Sequence, residues 1–313
     1  MSSNLIFILG NYKSGSTWLL KILSLHPAIR SLSETHIFNH VSTAPNFAEC
    51  THKLFHEVPW SNGGAQRWFA HRMLELAGPL LKHWRPEFAF RATERPATLL
   101  DLNPFEQKAL RRVLEQAQTK EAYCRSFFQF LDARLRPQSY LLEKSTDAAR
   151  YVPFIHAVFP AAKFLVIYRD GRDVVVSSRF FTENHLKRNS WSLQASIMKW
   201  CAEIEAQHRY GEQFSLFTCS YEELLENSVA VAQRLFAYLE LPTGEELLQN
   251  ILRRTSFKSL TGREAGREAR DRFIRKGVSG DWRNHFSVED KNVFKELAGD
   301  LLLQLGYEKD HNW

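Results

Sequence analysis

The sequence predicts an α/β fold: a P-loop-like parallel β-sheet flanked by helices, with a helical insertion at about residues 66–135. Three observations predict it. The run Leu5–Leu9 is unbroken apolar, as in a strand covered on both faces. Short apolar runs alternate with helical patterns along much of the chain, which implies a parallel sheet between helices. Two of the runs are followed by a small or basic turn and a helix start, a layout that aims backbone N–H groups and a helix dipole at an anion.

Taken in order, Leu5–Leu9 is the first strand, and Ser16–Leu25 has helical spacing that stops before Pro27. Residues 28–65 read as irregular, with a Gly63-Gly64 break. Helices separated by Pro-containing turns are expected at Arg67–Lys82, Pro104–Gln118 and Glu121–Leu135. Short strands are expected at Tyr140–Glu143, Lys163–Tyr168 and Phe214–Cys219. Helices are expected at Asp173–Phe181, Ser192–Tyr210, Ser228–Leu239, Glu245–Arg254 and Val288–Leu305. The insertion interrupts the alternation on the side of the sheet where ligands bind in such folds. Gly262–Arg275 is polar and rich in Gly and Arg, and reads as a mobile loop.

The chain has 313 residues, enough for one domain with a substantial core. A single domain over 1–313 is expected. The four cysteines, Cys50, Cys124, Cys201 and Cys219, lie far apart with no C-x-x-C pair, which argues against a zinc site and a disulfide framework. The net charge of +6 is either a solubility surface or an attraction for a polyanionic small molecule. Basic residues are not gathered into a run with interleaved aromatics, so nucleic acid is not the expected partner. No run reaches the length of a membrane span. Leu5–Leu9 is too short for a signal-peptide core and has no basic region before it. The expected location is cytoplasmic.

Three segments could each grip an anion, which suggests a ligand with more than one anionic group. In the first, Gly10 and Gly15 have the separation of a Walker A loop and Thr17 sits at its hydroxyl position. The lysine position holds Ser16, however, and the lysine has moved to Lys13. A kinase needs that lysine on the β- and γ-phosphates and a partner for Mg²⁺. The shift favours one 5′-phosphate bearing a single transferable group. In the second segment Arg169 and Ser177 are eight apart across a strand-to-helix turn, so both can face one phosphate. Arg172 and Asp173 serve either an ion pair or the ligand. In the third, Arg275 supplies a planar fork suited to phosphate, beside Lys276, and Gly277 lets the backbone approach closely.

In order and spacing, the three segments resemble the sulfotransferases that use 3′-phosphoadenosine 5′-phosphosulfate (PAPS) as donor and release PAP. The resemblance runs from Ile6 to about Phe286. It implies that Ser14, Gly15, Ser16 and Thr17 hold the 5′-phosphate, and that Lys13 meets charge building on the bridging oxygen as the sulfuryl group leaves. It assigns Arg169 and Ser177, with Arg275, Lys276 and Gly277, to the 3′-phosphate. Trp18, Tyr221 and Phe257 resemble adenine contacts, although each could instead be a core aromatic. Gly171 replaces the family's usual proline, a change expected only to loosen the turn. Asp281-Trp282 is expected to fix the third segment rather than touch ligand.

Within the family, the branch acting on phenols and steroids places a His where this chain has Thr146. The segments Ser33-Glu34-Thr35-His36-Ile37-Phe38 and Glu143-Lys144-Ser145-Thr146 resemble instead the branch of heparan-type and many bacterial enzymes. That resemblance implies Glu34 as general base, His36 assisting or orienting substrate, and Lys144 beside the sulfuryl group. The pairs His36/His40 and His52/His56 have helical metal-ligand spacing but no third ligand, and no metal is expected.

The expected function is sulfuryl transfer to a hydroxyl, less favourably an amine, of a small-molecule or sugar acceptor. The alternatives are a P-loop small-molecule kinase, with Asp170 as the Mg²⁺ partner of Thr17, and a nucleotide-binding module without catalysis. Phe47, Phe55, Trp60, Trp68 and Trp84 permit an apolar acceptor pocket. A dimerisation pattern of some relatives keeps only Val288 of its positions here, alongside Arg283, Ser287 and Asn292, so the oligomeric state stays open.

Overall fold

The computed structural model describes residues 4–58, 96–135, 140–146, 148–270 and 272–313. The expected helix Arg67–Lys82 and the residues Trp60, Trp68 and Trp84 lie outside them. The strands are β1 (Leu5–Gly10), β2 (Ile29–Ser31), β3 (Tyr140–Lys144), β4 (Lys163–Tyr168) and β5 (Leu216–Ser220). They form one parallel sheet in the order β2-β3-β1-β4-β5. In register, Leu5 faces Leu141 and Ile8 faces Lys144, while Ile29 faces Tyr140. Every residue of β1 is buried, as its unbroken apolar run requires.

The first helices are α1 (Ser16–Ser24), α2 (Ile37–Thr43) and α3 (Phe47–His56). The stretch expected to be irregular therefore holds β2, α2 and α3. A three-residue strand is too short to show a period. The start of α2 carries no Ser or Asp cap, because His36 takes the position before it in the left-handed region at φ 50°. The signal at α3 was present: Asn46 caps it by accepting from the Glu49 amide, and Cys50, Thr51, Leu54 and Phe55 form its buried stripe.

Within the expected insertion lie α4 (Pro104–Glu115) and α5 (Lys120–Leu135). Asn103 and Glu106 cap α4 reciprocally, with Pro104 at its first turn. There follow α6 (Val152–Val158), α7 (Gly171–Phe180), α8 (Leu193–Gln213), α9 (Tyr221–Glu226), α10 (Ser228–Tyr238), α11 (Glu245–Thr255), α12 (Phe257–Thr261) and α13 (Val288–Gln304). Among the described residues no helix is long and apolar enough to cross a membrane.

The chain divides into two compact units, 1–9 with 19–165 and 10–18 with 166–313. In the first, Phe7 is the centre of an aromatic cluster. Its ring meets Phe38 at 5.5 Å, Phe128 at 5.6 Å and Phe164 at 6.0 Å. In the second, Val174 and Val175 of α7 pack with Ile197, Trp200 and Ile204 of α8 and Phe294, Ala298 and Leu302 of α13. Gly171 has a packing role beyond the second segment's turn. A Cβ there would stand 2.5 Å from the Trp200 indole, so the glycine lets α7 start directly against that ring.

In open parallel sheets ligands bind beyond the carboxyl ends of the strands. The first and second anion-gripping segments leave from such ends, Asn11–Thr17 after β1 and Arg169 after β4.

Candidate functional site

All the predicted donor residues fall within the unit formed by 10–18 and 166–313. The loop after β1 turns at Lys13 (φ 68°) and Gly15 (φ 99°), and the Ser14 amide donates to the Asn11 carbonyl at 3.0 Å. A Cβ on Gly15 would stand 2.6 Å from the Tyr221 ring, which fixes the glycine sterically as well. Ser16 and Thr17 open α1. The Ser14 hydroxyl is fully buried with no partner among the described residues. An unpaired buried hydroxyl is costly, and one at a helix N-terminus suits an anionic ligand.

Lys13, Ser177 and Arg275, a residue from each of the three segments, converge on one small gap together with Phe181, Arg270 and Phe273. The Lys13 ammonium donates to the Phe273 carbonyl at 3.2 Å and lies 4.1 Å from the Phe273 ring centre and 4.4 Å from that of Phe181. Arg275 pairs with Glu268, and donates to Asp281 at 2.6 Å. Lys276 donates to Asp281 at 2.5 Å. Asp281 is buried, which alone would raise its pKa. Lys276, Asn284 and Arg275 outweigh that and hold it well below the usual carboxylate range. Asp281 thus fixes the third segment, as expected. The Arg275 Nε is buried and has no hydrogen-bond partner among the described residues, so the guanidinium keeps donor capacity.

Arg169 is more constrained than a simple phosphate ligand. It donates to the carbonyls of Lys13 at 3.4 Å and Val278 at 2.9 Å, and its guanidinium lies 4.3 Å from the Tyr221 ring centre. Asp173 accepts from Arg169 and from the amides of Gly280 (2.7 Å) and Trp282 (2.9 Å). The pair therefore joins all three segments through backbone groups. Arg172 is an ion-pair residue. It is held by Asp170 and Glu308, with the rings of Trp282 (3.9 Å) and Trp313 (4.4 Å) beside it. Asp170, the kinase reading's metal partner, gives its carboxylate to the Arg172 amide and guanidinium.

Tyr221 is buried beneath the loop and packs as a wall of the cradle. Trp18 is half-buried and donates from its indole to the Thr255 carbonyl at 2.9 Å. A Cβ on Gly277 (φ 68°) would overlap the Phe257 ring at 2.1 Å, so Phe257 is in contact with the third segment's backbone.

Glu34, His36 and Lys144 form a second cluster, in the unit of 1–9 and 19–165. Lys144 pairs with Glu34 Oε1, and His36 Nε2 lies 3.4 Å from Oε2. Burial pushes the Glu34 pKa up, but the His36 hydrogen bond and the Lys144 charge outweigh it and hold it at about 2. Phe55 is buried and Phe47 stacks on Tyr123 at 5.3 Å, so these two act in packing. His36/His40 and His52/His56 bring their rings to 6.4 Å and 4.7 Å. The acid and histidine side chains of Glu268, Asp281 and His285 converge, yet both carboxylates already carry arginine or lysine partners.

Glu268, Phe273 and Arg263 were not singled out in the sequence, and Glu143 was read only as part of its motif. A lone Phe in a polar, Arg-rich loop was the one available signal. Acidic partners within such a loop look like any solvated charge.

A sulfotransferase domain model matches residues 3–306, nearly the whole chain. The chain belongs to the sulfotransferase domain family. Its relatives include human sulfotransferase 2A1, 28% identical over 47% of this chain and 59% of that protein. Mouse sulfotransferase 2B1 is 27% identical over 46% of this chain and 49% of that protein. The matched stretch thus spans about half the length of these curated relatives. Among solved structures, mouse sulfotransferase SULT7A1 complexed with PAP superposes with a TM-score of 0.56, at 14% identity, covering 97% of this chain and 87% of that one. That likeness establishes the sulfotransferase fold.

Proposed function

We propose that this sulfotransferase-family chain moves a sulfuryl group from PAPS to a hydroxyl, or less favourably an amine, of a small-molecule or sugar acceptor. The observation that carries the reading is the convergence of Lys13, Ser177 and Arg275, one residue from each of the three donor segments. The orphaned Ser14 hydroxyl and Arg275 Nε fit an anionic ligand with two phosphate groups. Ser14, Gly15, Ser16 and Thr17 take the 5′-phosphate. Ser177, Arg275, Lys276 and Gly277 take the 3′-phosphate, with Arg169 bracing them. Trp18 and Phe257 border the adenine.

In this reading Glu34 accepts the acceptor's hydroxyl proton as that oxygen bonds to sulfur. The bond from sulfur to the phosphate oxygen breaks, and Lys13 meets the charge left on that oxygen, leaving PAP. Lys144 neutralises the sulfuryl oxygens and His36 orients Glu34. The Lys144 charge and the His36 hydrogen bond keep Glu34 ionised, the state in which it can take a proton. Both units belong to one catalytic domain. Four unpaired cysteines agree with a cytoplasmic setting. The test is incubation with PAPS and a panel of phenols, steroid alcohols and sugars, read by mass spectrometry for sulfated product and PAP. Sulfation abolished by Glu34→Gln supports the reading. Phosphorylated product from ATP with Mg²⁺, and none from PAPS, would replace it with the kinase.

A further inference from the structure

We propose that Glu143 is a positioning residue for the candidate base: it ties the Ser33–Ile37 segment to the end of β3 and so sets where Glu34 points. The proposal rests on the reading of Glu34 as the base. Glu143 is only 1% exposed. Its Oε1 accepts from the Thr35 amide at 3.3 Å, from the Thr35 hydroxyl at 2.9 Å, and from the Ser145 hydroxyl. The Ser145 oxygen in turn accepts from the His36 amide at 3.0 Å. The two peptide N–H groups that follow Glu34 are therefore both tied, directly or through Ser145, to one carboxyl group.

The tie has something to hold. His36 sits at φ 50°, a conformation sparsely used outside glycine, which persists only where the surroundings impose it. Its imidazole reaches back to Glu34 Oε2 from that turn. The Thr35 hydroxyl also accepts from the Ile37 amide at 3.3 Å, carrying the same anchor to the first residue of α2. Lys144, next to Glu143 on β3, pairs with the other oxygen of Glu34. One strand end thus supplies both the anchor of the base's backbone and the partner of its side chain.

Glu143 does this from a place no substrate reaches. Its Oε2 is buried with no hydrogen-bond partner among the described residues, and burial pushes its pKa up. Its effect therefore runs through Thr35 and Ser145 rather than through contact with reacting atoms.

The experiment is a pH titration of the Glu34 side-chain carboxyl by carbon NMR of glutamate-labelled protein. The Glu34 signal is the one lost in Glu34→Gln. The charged groups facing Glu34 are His36 and Lys144, with Glu143 behind Thr35. In the native protein the expected midpoint is about 2. In Glu143→Ala the segment is released from its anchor, Glu34 leaves its two cations, and the midpoint rises toward the ordinary value of roughly 4. Burial holds the Glu143 pKa above its ordinary value, so Glu143 is uncharged at the low pH where Glu34 titrates, and a rise reports displacement and not a lost charge. Glu143→Gln retains an acceptor oxygen for Thr35 and keeps the midpoint low. Unchanged melting temperature and PAP affinity show the variants are folded. A midpoint still near the native value in folded Glu143→Ala overturns the proposal. If that variant does not fold, Ser145→Ala, which removes the bridge to His36, is read the same way: a rise supports the proposal and an unmoved midpoint overturns it. The titration reads position alone. Full sulfuryl transfer by Glu34→Gln would sink the base reading separately, whatever the titration shows.

Discussion

Lys13 and Glu34 carry the chemistry of the proposed reaction, and their surroundings differ in kind. Lys13 stands against two aromatic rings and a backbone carbonyl, contacts a more strongly charged ligand group displaces. Lys13→Ala is expected to lower turnover by about 10²–10³-fold, the usual worth of one donor aimed at developing charge. Glu34→Gln is expected to cost about 10²–10⁴-fold in turnover, the range of a general base, with PAP affinity within about threefold of native. The position of Glu34 also has a stability signature. Its pKa is held at about 2, below its unfolded value, so the contribution is present above roughly pH 4 and is lost as pH falls through about 2. Urea denaturation of native protein and Glu34→Gln at pH 7, 4 and 2.5 checks this, with the difference shrinking at the lowest pH. Legibility was uneven at this scale. Lys13, Arg275 and Glu34 were singled out by the resemblance of their segments to those of the family. Glu143 was visible in its motif, but its role depends on Thr35, more than a hundred residues away, and no local pattern encodes that.

At the scale of elements, the third segment and the loop before it are the informative part. Gly262–Arg275 was expected to be mobile from its composition. In the structure Arg263 cross-braces it, donating to the carbonyls of Arg267 (2.6 Å), Ile274 (2.5 Å) and Arg275 (2.8 Å). An arginine that satisfies three carbonyls can replace the apolar contacts such a sequence lacks. The same loop places the Glu268 carboxylate on Arg275, where a phosphate would have to compete for the guanidinium. Glu268→Gln is therefore expected to tighten PAP binding, by up to about tenfold in a titration at low salt. Unchanged or weaker binding would mean that Glu268 supports the guanidinium instead of competing for it. The long elements were legible because their periods run over many residues. The missed ones, β2, α2, α3, α6, α9 and α12, are ten residues or shorter, and α2 begins at a left-handed histidine in place of a capping side chain.

For the whole molecule, the parallel sheet followed from the alternation of apolar runs and helical patterns, and β1 is buried along its full length as that pattern demands. What the alternation does not encode is the division into two compact units. The donor segments all fall in one and the Glu34 cluster in the other, although β1 and β4 each pass through both. The Phe7 ring is central to the first unit's core, so Phe7→Ala is expected to destabilise the protein by about 3–5 kcal/mol in denaturant unfolding. If the three segments form one donor site, it takes a nucleotide with separate 5′- and 3′-phosphates. Calorimetric titration of the native chain with PAP, beside ATP with Mg²⁺, tests it most directly. A shared donor site binds PAP clearly more tightly than ATP with Mg²⁺ and loses that binding in Arg275→Ala protein that still melts cooperatively. Preference for ATP with Mg²⁺, or PAP binding indifferent to Arg275, would contradict it.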